Sequence, residues 1–413
     1  MLPIRKKIAA GAGLVMVTAG IAALTQTAGP ASSASPALAR QAKAAVTVSI
    51  VPGVIDPGSS LKKARSAKWA VIGKFAANKA GKKATLQRQS GSSWVTEGKV
   101  EIDKKGLALF AVPPASASKP VTYRVDGPGS PSAPVITSSW GTPIDFVDDF
   151  SGRRLNLANW QHRAQDYFPE SQRGCSKGDP RAVKVGKGTA QLSVLVDKSV
   201  TKLCRPKKPN RDVIFGKFRY RLNANIGTGG THGIRYGVVA ARIKFNPLQG
   251  QHASLWMQPT YINGSTQAAV QGTEIDIIEW FGKDTPSGGL TSFVYAPSYG
   301  GKKIGLGGDG WIKKPEQYLM NEKDDFYKRY HVYSVEWTPS AYIFRIDGQE
   351  TGRITKASSI SRVLEYPILS ILSSDYELAK LPDRDEKKNL PQTMNVDWIK
   401  TWQSPTGIIP STP

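Results

Sequence analysis

The chain has 413 residues, enough for two or three domains, or for one large β domain with a smaller one beside it. Hydrophobic residues make up 40% and charged residues 21%, which excludes a chain that is disordered throughout. Lysine and arginine outnumber aspartate and glutamate by 56 to 32, a formal charge of +24, so the chain should attract polyanions. No nucleic-acid-binding motif accompanies this charge.

The first 39 residues have the three parts of a secretory signal. A basic cluster at residues 5–7 is followed by an uncharged stretch at residues 8–24 and then by mostly small side chains. A retained membrane anchor is the alternative, but the uncharged stretch is diluted by Gly and Thr and is short for a bilayer span. We therefore predict a signal peptide within residues 1–39 and a secreted, extracellular product that has no membrane contact after cleavage.

The rest of the chain reads as all-β, in two parts. Short β-prone runs separated by Gly, Ser, Asn and Pro fill residues 46–126 and predict a small β-sandwich. Residues 86–94 resemble Ig-like accessory modules of secreted proteins, and residues 127–142 have the composition of a linker. Residues 143–404 are again strand-rich and too long for one Ig-like unit, which favours a larger sandwich or jelly roll. Residues 405–413 are a tail that we expect to be flexible.

Cys175 and Cys204 are the two cysteines of the chain. In a secreted protein an even pair predicts a disulfide. It would close a loop of about 30 residues and stabilise the fold by roughly 3–4 kcal/mol in the chain-entropy model. The cysteines and the four scattered histidines make no zinc pattern, so no metal site is predicted from them.

Residues 274–281 read as a strand with a break in its alternation. Polar Glu274 and Asp276 alternate with isoleucines, but two isoleucines then follow each other before Glu279. A phase slip of one residue is what a β-bulge produces, and it returns Glu279 to the face of the other two carboxylates. Without the bulge Glu279 would point into the apolar face, which is costly for a carboxylate.

Three carboxylates on one strand face repel each other, so structure alone gains nothing from them. Glycoside hydrolysis needs such a set: a retaining enzyme uses one ionised carboxylate as nucleophile and one protonated carboxyl as acid. A third carboxylate can orient the nucleophile and shift the pKa of its neighbour. A solvated acidic strand and a cation site remain the alternatives for this motif.

The motif resembles the E-x-D-x-x-E centre of glycoside hydrolase family 16, the laminarinase and β-glucanase group. Five further blocks resemble that family in the family's order: residues 146–160, 225–244, 254–259, 331–348 and 396–402. The resemblance implies a β-jelly-roll catalytic domain with a substrate cleft on its concave face. It makes Glu274 the nucleophile, Glu279 the general acid/base and Asp276 the assisting carboxylate. It implies no required cofactor, although a structural calcium of some members would use the position of Asp397.

Aromatic residues can stack on sugar rings, and three are predicted to bind substrate: Trp256, Tyr295 and Trp280. Core packing is the alternative for each tryptophan, and strict alternation would turn Trp280 away from the cleft. Two positions depart from the family. Tyr295 stands where many members have a His, and the stretch beginning Gln251-His252 replaces a Trp-Pro-containing segment.

The predicted activity is endo-hydrolysis of β-1,3- or β-1,3-1,4-glucan with retention. Alternatives are a hydrolase of agar-like or sulfated galactan, a transglycosylase, and an inactive carbohydrate-binding wall protein. The charge of +24 favours the galactan reading slightly and makes anionic cell-wall polymer a candidate partner. The three carboxylates argue against a binding protein, because binding alone does not need them. We expect a monomer that binds polysaccharide and no nucleic acid.

Overall fold

The computed structural model describes residues 46–56, 67–114, 118–129, 131–140, 146–163, 166–168, 173–206, 216–285, 288–297, 303–305, 310–373, 378 and 390–404. The predicted signal peptide and the predicted tail lie outside these ranges. Within them, no helix has the length and apolar character that a membrane crossing requires.

Residues 46–140, here the N-terminal module, fold into two small sheets. The strands are β1 (Val46–Ile55), β2 (Lys68–Phe75), β3 (Lys83–Ser90), β4 (Ser93–Glu101), β5 (Leu107–Val112), β6 (Thr122–Asp126) and β7 (Val135–Ile136). One sheet has the order β1-β2-β5 and the other β4-β3-β6-β7, with an apolar core that includes Val71, Phe110 and Tyr123. Short 3-10 turns lie at Ala77–Lys79 and Thr137–Trp140. Part of the predicted linker, β7, thus pairs with β6.

The larger part of the chain, from residue 146 onward, is also built from strands. They are β8 (Phe146–Asp148), β9 (Gln161–His162), β10 (Ser176–Gly178), β11 (Val183–Gly186), β12 (Thr189–Val196), β13 (Arg221–Gly227), β14 (Gly237–Lys244), β15 (Gln251–Pro259), β16 (Glu274–Trp280), β17 (Leu290–Pro297), β18 (Lys303–Gly305), β19 (His331–Thr338), β20 (Ala341–Ile346), β21 (Gln349–Ile354), β22 (Glu365–Ser373) and β23 (Gln392–Gln403). Helical structure in the described ranges is short: α1 (Ala268–Gln271) and 3-10 turns at Pro180–Ala182, Pro315–Tyr318 and Ala357–Ser359.

These strands form one long path that curls into a β-jelly-roll, as the sequence predicts. The path runs β18-β17-β16-β15-β22-β13-β12-β23-β14-β19-β20-β21. Side chains from both halves of the path, such as Leu255 and Ile277 from one and Val239 and Tyr333 from the other, meet in a single core. Alternation along each strand then turns the next side chains away from this core. One layer consists of β13, β22, β15, β16 and β17. We call the face of this layer that points away from the core the groove face.

The opposite outer face, on β14, β19 and β23, is covered by the N-terminal module. Val238 and Trp398 on this face are completely buried, and they pack with Val51 and Ala70 of β1 and β2. The conformation at Gly53 has a positive φ, and a Cβ there would lie 2.1 Å from the ring of Trp402. The module therefore lies against the layer that faces away from the groove.

An ion-pair network joins the module to this outer face. Asp56, directly after β1, accepts hydrogen bonds from Arg242 Nε at 3.0 Å and from Arg329 Nη1 at 2.8 Å. Arg242 also donates to Asp397 at 3.3 Å, and Arg329 pairs with Asp324. Because the side chains of Asp56 and Arg242 are 3% and 1% exposed, water screens their attraction little.

Replacing Asp56 with asparagine is expected to destabilise the protein by about 2 kcal/mol, because a buried guanidinium loses a charged acceptor while keeping Asp397. Denaturant unfolding of the full chain measures the change. Asp284→Asn is the matched control, since the Asp284 side chain is 75% exposed and should change stability little. Equal stability of both variants and wild type would refute a stabilising part for the network.

The predicted disulfide is confirmed. Cys175 and Cys204 are bonded, and both side chains are buried beside Phe218 in a small apolar cluster that includes Leu378. The backbone around Cys175 is fixed further, since Arg221 N donates to Cys175 O at 2.8 Å. The bridge thus ties the loop before β10 to the segment between β12 and β13.

Candidate active site

The three carboxylates lie on β16, where the structure contains the bulge that the sequence predicts. Glu279 is paired with Ser254 of β15 and Asp276 with Trp256, so β16 has one more residue than β15 between these pairs. The register with β17 is shifted over the same stretch. Ser292 Oγ donates to Ile277 O at 2.9 Å, which gives a carbonyl freed by the bulge a partner.

The bulge separates charged from apolar side chains. Ile275, Ile277 and Ile278 are buried in the core of the jelly roll. Glu274, Asp276 and Glu279 lie on the groove face, where they are only 7%, 4% and 8% exposed. Consecutive isoleucines can both enter the core because the extra residue lets the strand change phase between them.

Glu279 is held at both carboxylate oxygens. His252 Nε2 lies against Oε1, and Thr291 Oγ1 donates to Oε2 at 2.8 Å. Burial acts to raise the pKa of Glu279, but His252, Thr291 and the guanidinium of Arg173 outweigh it and hold the pKa below its ordinary value. In the free protein Glu279 is therefore held toward its ionised form.

Glu274 has a different set of neighbours. Gln258 Nε2 donates to Glu274 Oε2 at 3.2 Å, and Gln258 Oε1 in turn accepts from Arg163 Nη2 at 2.7 Å. The guanidinium of Arg163 lies over the ring of Trp256, 4.9 Å from its centroid. These contacts orient the Glu274 carboxylate from the groove side.

Tyr295 pairs with Glu274 across β16 and β17. Burial, followed by the negative charges of Asp276, Glu279 and Glu274, raises the pKa of Tyr295 to about 12. The phenol therefore stays protonated and can donate a hydrogen bond beside the carboxylates. The binding of substrate by Tyr295 stays a prediction.

A cavity of about 510 Å³ continues the groove beside these residues. Its wall is polar and partly aromatic: Gln161, His162, Arg163, Arg173, Asn225, Gly227, Gly229, Trp256, Tyr366 and Leu372. Trp256 is half-buried here, and its Nε1 donates to Ser370 at 3.1 Å. An indole and a phenol beside amide and guanidinium groups suit the apolar faces and hydroxyl edges of sugar rings.

The prediction that Trp280 binds substrate is wrong. Its side chain is 3% exposed and packs in the core against Phe245, with ring centroids 5.8 Å apart, and Nε1 donates to Asn246 O at 2.6 Å. Regular alternation after Glu279 turns Trp280 inward. Phe281, the next residue, stacks on His252 at 4.6 Å and lies beside the site instead.

Several groove residues were not predicted. Arg163, Arg173, Gln258 and Tyr366 come from strands and loops far apart in sequence, and only Gln258 had a signal, since it lies two residues after Trp256 on one strand. In the sequence His252 is a departure from the family, and the structure places it against Glu279. Its role depends on pairing between strands, which the sequence does not specify.

The residues around Asp397 do not fit a calcium ion. Calcium takes about 6–8 oxygen ligands, whereas Asp397 contacts the guanidinium of Arg242 and lies near the ammonium of Lys400. Within the described ranges no group of three or more His, Cys, Asp or Glu side chains is arranged to hold a metal. A guanidinium thus neutralises Asp397.

Two curated proteins are similar to the chain. Glucan endo-1,3-beta-glucosidase A1 of Niallia circulans is 23% identical over 292 residues, which cover 67% of this chain and 39% of that protein. The beta-glucanase of Fibrobacter succinogenes is 25% identical over 175 residues, covering 42% of this chain and 45% of that protein. The chain therefore spans less than half the length of either relative.

Solved structures that resemble the chain include the laminarinase catalytic domain of Thermotoga maritima, with a TM-score of 0.46, 20% identity, and coverage of 63% of this chain and 98% of that one. The endo-beta-1,3-glucanase of Pyrococcus furiosus has a TM-score of 0.45, 20% identity, and coverage of 62% and 93%. The sequence model described as glycosyl hydrolases family 16 matches residues 181–400, which include all three carboxylates of β16. Since that match spans more than half of the 413 residues, the chain belongs to glycosyl hydrolases family 16.

Proposed function

We propose that the chain is a secreted, retaining endo-β-glucanase that cleaves β-1,3- or β-1,3-1,4-linked glucan. The observation that carries the proposal is the bulge of β16, which turns Glu274, Asp276 and Glu279 to one face beside a groove with Trp256. Membership of glycosyl hydrolases family 16 and the names of the two curated relatives support the substrate class.

In the first step the Glu274 carboxylate attacks the anomeric carbon while the glycosidic bond breaks. Glu279 gives its proton to the departing oxygen, so the leaving sugar departs as a neutral alcohol. The product is a glycosyl ester on Glu274 and an ionised Glu279. Gln258, which donates to Glu274, holds the attacking carboxylate in place.

In the second step Glu279 takes a proton from water, and the water oxygen attacks the anomeric carbon. The ester bond to Glu274 breaks, and both carboxyl groups return to their starting forms. Two inversions give net retention. Asp276 lies between the two glutamates on the same face, and its negative charge opposes simultaneous ionisation of its neighbours.

A hydrolase of anionic galactan is the second candidate. The observation that favours it is the pair of guanidinium groups, Arg163 and Arg173, in the wall of the groove. Arginine binds sulfate and carboxylate groups well. Neutral glucan remains the first proposal because both guanidinium groups also contact protein side chains, Gln258 and His252.

The test is reducing-end release from laminarin, lichenan, curdlan, agarose and carrageenan by the full chain, with Glu274→Gln as the matched inactive protein. We expect release from one or more β-glucans by wild type alone, with β-configured products at early times by NMR. Release from agarose or carrageenan alone would favour the galactan reading. Bound polymer without any release would contradict an enzyme.

A further inference from the structure

His252 connects the site to a charged residue that the mechanism above does not use. Arg173 Nη2 lies 2.6 Å from His252 Nδ1, and His252 Nε2 contacts Glu279 Oε1. The His252 and Glu279 side chains are 14% and 10% exposed, so bulk water competes little for these contacts. The three side chains form a continuous chain that ends on the acid/base carboxyl.

The chemistry of the partners fixes the direction of this chain. A guanidinium only donates, so His252 Nδ1 accepts from Arg173 and carries no proton. The remaining ring proton is then on Nε2, from which it is donated to Glu279. Thr291 donates to the other oxygen, so both oxygens of Glu279 accept hydrogen bonds, an arrangement that favours the carboxylate.

Neighbouring structure fixes the geometry of His252 and of Arg173. The His252 ring stacks on Phe281 with planes 16° apart. The loop that carries Arg173 is fastened two residues later by the disulfide of Cys175, and Ser176 N donates to Arg173 O at 3.1 Å. The contact between Arg173 and His252 is therefore built into the fold.

Charged and hydrogen-bonding side chains face Glu279 from several of the described elements packed around it. They are His252 from β15, Thr291 and Tyr295 from β17, Glu274 and Asp276 from β16 itself, and Arg173 from the loop before β10. The two carboxylates of β16 favour a protonated Glu279, whereas Arg173 and the hydrogen-bond donors favour the ionised form. The balance between these opposing groups sets how readily Glu279 acts as an acid.

We propose that His252, oriented by Arg173, is a positioning residue that holds Glu279 toward its ionised form and thereby sets the upper pH limit of the glycosidase. The proposal rests on the acid/base role proposed for Glu279. The first step needs a protonated Glu279, so kcat/KM falls as pH rises through the titration of that group. Removing the donated proton of His252 should move this fall to higher pH.

The first experiment measures kcat/KM against pH on the β-glucan that wild type cleaves. His252→Phe keeps a ring that can stack on Phe281 but has no N–H, and its basic limb should move up by about one to two pH units. His252→Gln retains an N–H at the position of Nε2, and its limb should stay within about half a unit of wild type. His232→Phe controls for loss of an imidazole, because the His232 ring contacts Thr401 and Phe146 on other strands.

A double variant controls for movement of the Arg173 guanidinium toward Glu279 when His252 is replaced. The double variant Arg173→Met/His252→Phe should move the limb up at least as far as His252→Phe does, because it also removes the guanidinium that favours ionised Glu279. An unmoved limb in His252→Phe and in the double variant would overturn the proposal. An equal shift in His252→Gln and His252→Phe would also overturn it, because the donated proton would then not be the cause.

A titration that needs no turnover separates this proposal from the proposed function. The side-chain carboxyl carbon of Glu279, observed by NMR in ¹³C-labelled protein, is assigned by its loss in Glu279→Gln. Its titration midpoint should be higher in His252→Phe than in wild type. A higher midpoint in a protein that cleaves no polymer would refute the proposed glucanase but support the effect of His252 on Glu279. An unchanged midpoint would refute that effect of His252.

Discussion

Replacing Glu274 with glutamine is expected to reduce the turnover of β-glucan by a factor on the order of 10⁴ to 10⁶, the loss typical of a removed nucleophile. The amide fills the same volume and can keep a contact with Gln258, but it has no negative charge and does not form the glycosyl ester. Binding of polymer should persist. Initial rates of reducing-end release measure the loss, and equilibrium binding to laminarin oligosaccharides measures what remains.

The comparison variant is Glu279→Ala, because the two glutamates have different expected responses to the leaving group. Loss of a general acid slows cleavage of glucan by about 10²- to 10⁴-fold, but an aryl glycoside with an acidic phenol leaves without protonation. Glu279→Ala should therefore form the glycosyl ester rapidly from an activated aryl substrate and show a burst of phenol. Glu274→Gln should show no burst. Comparable turnover by Glu274→Gln and wild type would refute the nucleophile assignment.

The arrangement of β16 could be predicted because it depends on local rules. Alternation fixes the face of Glu274 and Asp276, and the doubled isoleucine indicates the phase slip that brings Glu279 to the same face. The same rules turn Trp280 into the core, where an indole cannot bind substrate although its residue type suits a sugar ring. Where one strand determines the outcome, the sequence was sufficient.

Contacts between distant segments could not be predicted in this way. Arg173 and His252 are 79 residues apart, and nothing in either local pattern indicates their contact. The position of the N-terminal module is a similar case, because it depends on how β1 and β2 fit the outer layer around Trp398. These contacts depend on how distant surfaces pack together, and the local pattern of a single sequence does not indicate that packing. The domain boundaries remain a prediction.

Glu365 is a buried carboxyl with a large expected effect on stability. It lies at the start of β22, is completely buried, and accepts hydrogen bonds from Thr273 N at 2.9 Å and Thr273 Oγ1 at 3.2 Å. Thr273 directly precedes Glu274, the proposed nucleophile, so Glu365 anchors the beginning of β16. Burial raises the pKa of Glu365 to about 8, and the hydrogen bonds from Ser361 and Thr273 offset it only in part.

The direction of the pH effect follows from proton binding. In the unfolded chain a glutamate titrates near pH ~4.3. Between that value and about pH 8 the folded protein keeps a proton that the unfolded chain has lost, so stability falls as pH rises through this window. The contribution is fully present below the window, is lost above it, and amounts to about 5 kcal/mol.

Glu365→Gln is expected to remove this pH dependence, because glutamine resembles the protonated carboxyl and does not titrate. The variant should match wild type at about pH 4 and be more stable by up to about 5 kcal/mol at about pH 9. Free energies of unfolding by denaturant across this range measure the difference, with Glu101→Gln as an exposed control. A difference that stays constant with pH would mean that Glu365 is ionised in the folded protein. In that event the hydrogen bonds from Thr273 would stabilise an ionised Glu365. Thr273 would then anchor the beginning of β16 through an ionic hydrogen bond instead of a neutral one.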